Sequence, residues 1–505
     1  MSTFTNPIIP GFYPDPSRIR VGDVFYMANS SFQFFPGIPI HRSKDLINWE
    51  LIGNAINRPS QISLNQATTK FNNASRHEIF TGGIYAPTIR YHNGIFYIVC
   101  TNLTGAPDMP SSKDFNPSNF IITATELSDP ESYSKLIYFD FHGIDPSLFF
   151  DKDKKVYVQG SWIYGYDQNP ATVIRQAKLI DIWSGATGKV PEGPHVYHKD
   201  GWYYLLIAEG GTHARHKITM ARSRSIWGPS ESDPANPVLT AEGSSGVVQC
   251  VGHGDLVQDE DGQWWCVMLA RREYGGSYPL GRETFLTGVE WVDGEFPVFK
   301  EVEIEQRTER QIARKHRRKG PVGVHLKSPA TLYLRTPRLE NYRQDGDKIV
   351  LTATDAGFGS PDGKMAFVGR RQTSLDSVAS VPIILGSAAR EDVSYGLTLY
   401  KDVFRYAAIH YRSRYSSLAL VVQEAGQPLT TLSSHPVQDA VSIRLSIISS
   451  VEAYKFGAQI CFTSATTTDI ALGEVHCSAV IGDDFTGTVY GIFASVDGNT
   501  GLPRF

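Results

Sequence analysis

At 505 residues the chain is too long for one hydrophobic core, so two domains are expected. A formal charge of −4 leaves no electrostatic footprint for nucleic acid, and no apolar run approaches the length of a membrane span. Aromatic residues at 11%, with 45 glycines and 29 prolines, suit a β-rich protein with many turns.

Met1 to Thr5 leads straight into Asn6-Pro7, with no basic region and apolar segment of the signal type. This reads as a cytoplasmic protein, although a chain whose signal had been removed would look the same. Matches to N-x-S/T at Asn29, Asn73 and Asn102 then carry no meaning. Next comes Gly11-Phe12-Tyr13-Pro14-Asp15-Pro16-Ser17. The two prolines stiffen the backbone on either side of Asp15, and Pro16 favours an extended conformation for it. A lone Pro-Asp-Pro would be a solvated turn. This one returns: Ile144-Asp145-Pro146-Ser147 repeats its core, and Pro191-Glu192-Gly193-Pro194 cages a glutamate in a similar way.

The segments after these carboxylates share one pattern. A short strand opens at Pro or Gly, a polar turn follows, and a second strand begins with aromatics, as in Pro16 to Tyr26 and Gly193 to Tyr204. Pro87 to Tyr97, Pro146 to Tyr157 and Gly254 to Trp265 are further copies. Asp15, Ala86, Asp145, Glu192 and His253 head the five units, at separations of 71, 59, 47 and 61 residues. Five hairpin repeats at this spacing suggest a five-bladed β-propeller, whose first strands line a central axis. Asp15, Asp145, Glu192 and His253 would then converge at one end of it. The alternative is a stack of sheets whose head residues only cap turns, which gives no reason for a carboxylate at three heads of five.

The five cysteines, Cys100, Cys250, Cys266, Cys461 and Cys477, lack metal-ligand spacing and read as reduced residues in apolar strands. Phe32, Phe34, Phe35 and Trp49 form the first aromatic cluster, and residues 57–80 read as a polar loop at the mouth of the propeller. Trp162 and Tyr164 could stack on a sugar or pack between blades, with equal weight. Ala208-Glu209-Gly210-Gly211-Thr212 offers two glycines where backbone can approach a ligand, with Glu209 in a supporting role. The basic run Arg314 to Lys319 reads as part of a solvated linker. From about residue 326 short strands follow, among them 349–354, 395–400, 406–411, 418–423 and 441–448, in the manner of a jelly-roll-like β-sandwich. The expected division is a propeller over 1–305, a linker over 306–325 and a sandwich over 326–505.

The ordered motifs resemble glycoside hydrolase family 43, in its β-xylosidase and α-L-arabinofuranosidase members with a C-terminal sandwich. They comprise Asn6-Pro7, Phe12 to Ser17, Phe35 to His41, Ser43 to Trp49, Gly82 to Pro87, Asp145 to Phe149, Glu192 to His195, Ala208 to Thr212, Gly252-His253 and Leu280 to Thr284. One departure stands out: the family often has Trp where this chain has Tyr85. The resemblance implies an inverting reaction, with Asp15 as base, Glu192 as acid and Asp145 as the carboxylate that orients the acid and raises its pKa. It also implies a sugar pocket of Arg282, Phe32, Tyr85, Thr212 and His253, with Trp162 beside it. Phe485 is expected from the sandwich, because Asp483-Asp484-Phe485-Thr486-Gly487 resembles the family's contributing loop. No cofactor is required, although a divalent cation such as calcium sits near the residue matching His253 in some relatives. The expected partner is a small oligosaccharide, with no nucleic acid and no membrane, and the oligomeric state is open. The expected activity is exo-acting release of xylose from β-1,4-xylo-oligosaccharides. An α-L-arabinofuranosidase, or an enzyme doing both, is the alternative. A sugar-binding propeller without catalysis is the alternative of a different class.

Overall fold

The computed structural model describes residues 2–67, 69–71, 79–104, 116–165, 168–176, 180–308, 322–360, 364–385, 392–464, 466–482 and 485–496. Asn73, Asp483, Asp484, the basic run at 314–319 and part of the expected loop at 57–80 lie outside them. The chain is all-β, and among the described residues only short 3-10 turns interrupt the strands.

Among the described residues, five antiparallel sheets of four or more strands fill most of the first three hundred residues, each with its main strands in chain order, and Thr69–Phe71 pairs with Ile79–Thr81 in a small hairpin of its own. The first sheet runs Ser17–Val21, Val24–Ala28, Gly37–Ser43, Glu50–Ile56, and the second Gly83–His92, Ile95–Thr104, Asn116–Ala124, Ile137–Phe139. The third runs Gly143–Phe150, Val156–Ile163, Thr172–Gln176, Ile180–Trp183. The fourth opens with Glu192–Lys199, Trp202–Glu209 and Lys217–Ser223; the fifth runs Val248–Gln258, Trp264–Arg272, Glu283–Glu290, Val298–Phe299. First strands are neighbours in sequence order, and the fifth lies against the first. Ser2–Thr5 pairs with Glu305–Thr308, and Asn6 bonds the carbonyls of Leu286 and Glu303, so the start of the chain is fastened beside the fifth sheet.

The strands expected at 395–400, 406–411, 418–423 and 441–448 are found and help build a β-sandwich, whereas the one expected at 349–354 ends at Leu351 and pairs only with Tyr342–Asp345 in a separate hairpin. One sheet has six strands, in the order Ala366–Arg371, Val489–Val496, Val393–Asp402, Arg405–Arg412, Ser417–Gln423, Thr430–Pro436. The other has four, Ser377–Ile384, Ala440–Ser449, Ala453–Phe462, Thr467–His476. Side chains alternate along a strand. In Arg405–Arg412, Ala407 and Ile409 enter the core between the sheets, while Tyr406 and Ala408 face the other way. That second face is no solvent surface. Tyr400, Phe367 and Phe493 pack there with Phe12, Phe34, Leu332 and Phe358. Phe34–Phe35 also pairs with Tyr333–Leu334. The sandwich therefore covers the segment that leads into Asp15. No disulfide joins any of the five cysteines.

Candidate active site

Four of the five repeat heads lie at or beside a break in the sheet ladder, while Asp15 lies just ahead of its strand, Ser17–Val21. The register slips at Ala86-Pro87, at Asp145-Pro146, at Gly193-Pro194 and at His253. A bulge of this kind re-aims a side chain out of the strand's alternation. Asp15, Asp145, Gly193 and His253 all have left-handed backbone, with φ of 52°, 55°, 58° and 45°. This corrects the extended conformation expected for Asp15. A proline after Asp15 limits its backbone but does not forbid the left-handed region, which Asp tolerates better than most residues.

Backbone groups hold Asp15 from several sides. Asn29 donates to the carbonyls of Tyr13 and Pro14 at 2.9 and 3.1 Å, Thr284 donates to Tyr13 O at 2.6 Å, and the Tyr13 N–H donates to Arg282 O at 3.1 Å. Ser30 Oγ donates to one carboxylate oxygen of Asp15 at 2.5 Å, and His253 Nδ1 stands 3.8 Å from the other. Asp145 accepts the Gly193 N–H at 3.1 Å. Gly193 is needed here: a Cβ would stand 2.9 Å from the His253 ring. Glu192 Oε1 lies 3.9 Å from His216 Nδ1. Asp15, Asp145, Glu192 and His253 are thus gathered from four sheets, and each is at most 7% exposed.

Burial pushes the Asp145 carboxyl up to about 7; the His253 ring opposes the rise, and the negative charges of Glu192 and Asp15 add to it. Glu192 is also pushed up to about 7 by burial, with Arg282 opposing and Asp15 contributing. Repulsion between two carboxylates acts on both, so Asp145 and Glu192 share the tendency to keep a proton near neutrality. His216 is kept neutral, well below the ordinary histidine range, first by burial and then by Arg282 and His253. Its Nδ1 bonds the Gly211 carbonyl at 2.8 Å and so carries the proton.

The aromatic residues form one wall. Phe32 stacks on Phe485 with centroids 5.1 Å apart and planes at 12°, and Tyr85 meets both edge-on, at 5.1 and 5.5 Å. Tyr85 is fixed by its hydroxyl, which donates to Thr81 O at 2.5 Å. Phe32 has φ of 48° and exchanges backbone bonds with Ile84; a Cβ on Gly83 would lie 2.1 Å from Phe32 O. The Arg282 guanidinium lies 4.7 Å over the Phe485 ring and donates to Thr212 O. Thr212 thus acts through its carbonyl. Thr488 bonds Pro279 O through both N–H and hydroxyl at 3.0 Å, which joins the Phe485 loop to the Arg282 loop.

Trp162 is packed elsewhere, under Arg175 at 4.3 Å and edge-on to Phe141 and His142, outside the Phe32 cluster. Tyr164 is 42% exposed and bonds Asp181. Glu209 takes a supporting place: it accepts from the N–H groups of Ala186 and Thr187 and from the hydroxyls of Thr187 and Thr219, and so pins the turn before Glu192. Ser30 and His216 were not singled out from the sequence, where a serine or lone histidine carries no motif.

Deeper along the first strands lies Asp255. It accepts from Ser17, the Arg18 N–H, Arg90 and Tyr197 at 2.6 to 3.2 Å. This carboxylate is saturated by donors and faces two guanidinium groups, Arg18 and Arg90. Among the described residues no cluster of three or more His, Cys, Asp or Glu side chains could hold a metal ion.

The description "Glycosyl hydrolases family 43" belongs to a family model that matches residues 4–296. The chain belongs to this family. It is therefore a glycoside hydrolase, and residues 329–502 match a second model, the β-xylosidase C-terminal concanavalin A-like domain. Among curated family 43 proteins, the non-reducing end α-L-arabinofuranosidase BoGH43B of Bacteroides ovatus is 32% identical over 517 residues, covering 98% of this chain and 92% of that protein. Xylosidase/arabinosidase 43B of Humicola insolens is 33% identical over 474 residues, covering 88% and 83%. The crystal structure of xylan β-1,4-xylosidase from Bacillus halodurans C-125 superposes with a TM-score of 0.83 at 27% identity, covering 99% of this chain and 98% of that one.

Proposed function

We propose that this family 43 enzyme is an exo-acting, inverting β-1,4-xylosidase that releases xylose from the non-reducing ends of short xylo-oligosaccharides. The observation that carries the reading is the meeting of three buried carboxyls with an aromatic wall to which the sandwich adds Phe485. A wall closed from a second domain leaves room for a terminal sugar, whereas mid-chain attack needs an open groove. The five sheets are read as the blades of a propeller, with the first strands around its axis. The domains are taken as 1–305 and 326–505, joined by 306–325.

In this mechanism Asp15 takes a proton from water, and that water attacks the anomeric carbon as the glycosidic bond breaks. Glu192 gives its proton to the leaving oxygen. Asp145 orients the acid and adds negative charge that favours its protonated form. Arg282 binds sugar hydroxyls through its planar fork and offsets the crowded negative charge. Phe32, Tyr85 and Phe485 enclose the ring, and the Thr212 carbonyl sets the direction of Arg282.

A second reading is favoured by the name of the Bacteroides relative, which matches over nearly the whole chain: release of terminal α-L-arabinofuranose, alone or beside xylose. One experiment decides between them. Initial rates on aryl β-xyloside, aryl α-L-arabinofuranoside and xylobiose are measured on one preparation, and the first-formed xylose is followed by NMR. The proposal expects xylosidase kcat/KM to be the higher and α-xylose to appear first. Arabinofuranoside preference selects the second reading, and β-xylose as first product rejects inversion.

A further inference from the structure

Phe485 is one of several contacts between the second domain and the residues around the site. Another is Arg371, at the end of Ala366–Arg371, the strand that pairs with Val489–Val496. Arg371 Nε donates to the Phe12 carbonyl at 2.9 Å, three residues before Asp15. Its guanidinium lies 4.4 Å over the Phe12 ring and 4.3 Å over the Tyr13 ring. The next residue closes the grip, because a Cβ on Gly11 would come within 2.7 Å of Gln372 O. Gln372 is itself bonded by Tyr454 and Thr488, so the grip is anchored in the sandwich.

We propose that Arg371 is a positioning residue for Asp15, through which the sandwich sets the place of the water-activating base. The hydrogen bonds to Tyr13 and Pro14 described above all come from the first three hundred residues, and Arg371 adds one from the second domain at the neighbouring Phe12. Arg371 is also a costly choice for simple cohesion. It is 7% exposed, burial lowers its pKa, and its Nη2 has no hydrogen-bond partner. An apolar side chain of similar length would serve packing as well or better. What it would lose is the directed bond to Phe12 O and the cation held between two rings. Asp15 has left-handed backbone, so slack in the preceding residues would move its carboxylate. A misplacement of about 1 Å can cost on the order of 10²-fold in rate.

The inference rests on the reading of Asp15 as base, and the experiment separates the two. Arg371→Met, Arg371→Lys and Asp15→Asn are compared with wild type for kcat and KM on xylobiose and an aryl xyloside, with thermal melting of each. Arg371→Met should keep its melting temperature within a few degrees. Its kcat should fall ~10–100-fold on both substrates alike, with KM changed less than ~3-fold and the alkaline limb of the pH profile unmoved. Arg371→Lys should recover part of that rate, since an ammonium can reach Phe12 O but lacks the planar fork. If Arg371→Met does not fold, Arg371→Lys decides, and a kcat equal to wild type overturns the inference. So does a folded Arg371→Met that keeps full kcat, or that loses only xylobiose cleavage. An active Asp15→Asn overturns the reading beneath it. An inactive Asp15→Asn beside a fully active Arg371→Met overturns the positioning role alone.

Discussion

In the proposed mechanism Glu192 has to hold a proton near neutrality while facing Arg282, which works against it. Burial outweighs that attraction, and the negative charge of Asp15 adds to the rise. This has a consequence for stability as well as rate. A carboxyl raised from 4.5 to about 7 binds its proton more tightly in the folded state. Its stabilising contribution is full below the ordinary value and is lost as pH rises through about 7. Glu192→Gln cannot ionise and escapes that loss. Its melting temperature should therefore gain on wild type between pH 5 and pH 8, and a constant difference over that range would contradict the assignment. Asp145→Asn removes a repelling charge from the pair. The alkaline limb of its kcat/KM profile should move to lower pH; an unchanged limb would leave Asp145 without a part in holding the acid's proton.

At the level of elements, the turn Gly185 to Thr187 owes its shape to a single buried side chain, Glu209. Glu209→Ala would leave two N–H groups and two hydroxyls without their acceptor. Ala186 and Thr187 are exposed and their donors can turn to water, but the Thr219 hydroxyl is buried, and one unsatisfied buried donor costs about 1–3 kcal/mol. The variant should melt well below wild type and show faster amide exchange at residues 186 and 187; wild-type stability would contradict this. The repeat heads were legible in the sequence because Pro or Gly beside a carboxylate recurs at blade-like spacing. The left-handed turn at Asp15 was not, since local preference before Pro16 points the other way and the turn is imposed by the fold around it. Ser30 and His216 were equally hidden. Their importance comes from touching Asp15 and Glu192 across the fold, and no local pattern announces that.

For the molecule as a whole, the sandwich covers the segment that leads into Asp15, and in the proposed function it also closes the pocket. Its strands were readable from their alternation, and Phe485 from the motif around it. The grip of Arg371 was not readable, because it joins positions 359 residues apart. Phe12 and Phe34 are buried against Phe367, Tyr400 and Phe493. Removing 326–505 would open this apolar face and break the pairing of Phe34–Phe35 with Tyr333–Leu334. The shortened chain should be inactive and poorly soluble by sedimentation and activity assay. A soluble, fully active product would show the sandwich to be dispensable.

The division of labour between Glu192 and Asp15 is tested most directly by kcat/KM for xylobiose and an aryl xyloside in Glu192→Gln and Asp15→Asn. Glu192→Gln removes the proton donor, and general acid help is worth on the order of 10²–10⁴-fold. The xylobiose rate should fall by that order, while the aryl substrate, with its better leaving group, falls far less. Asp15→Asn removes the base that both reactions share and should disable both. Equal losses in Glu192→Gln, together with an aryl activity spared in Asp15→Asn, would mean that the acid and the base have been exchanged.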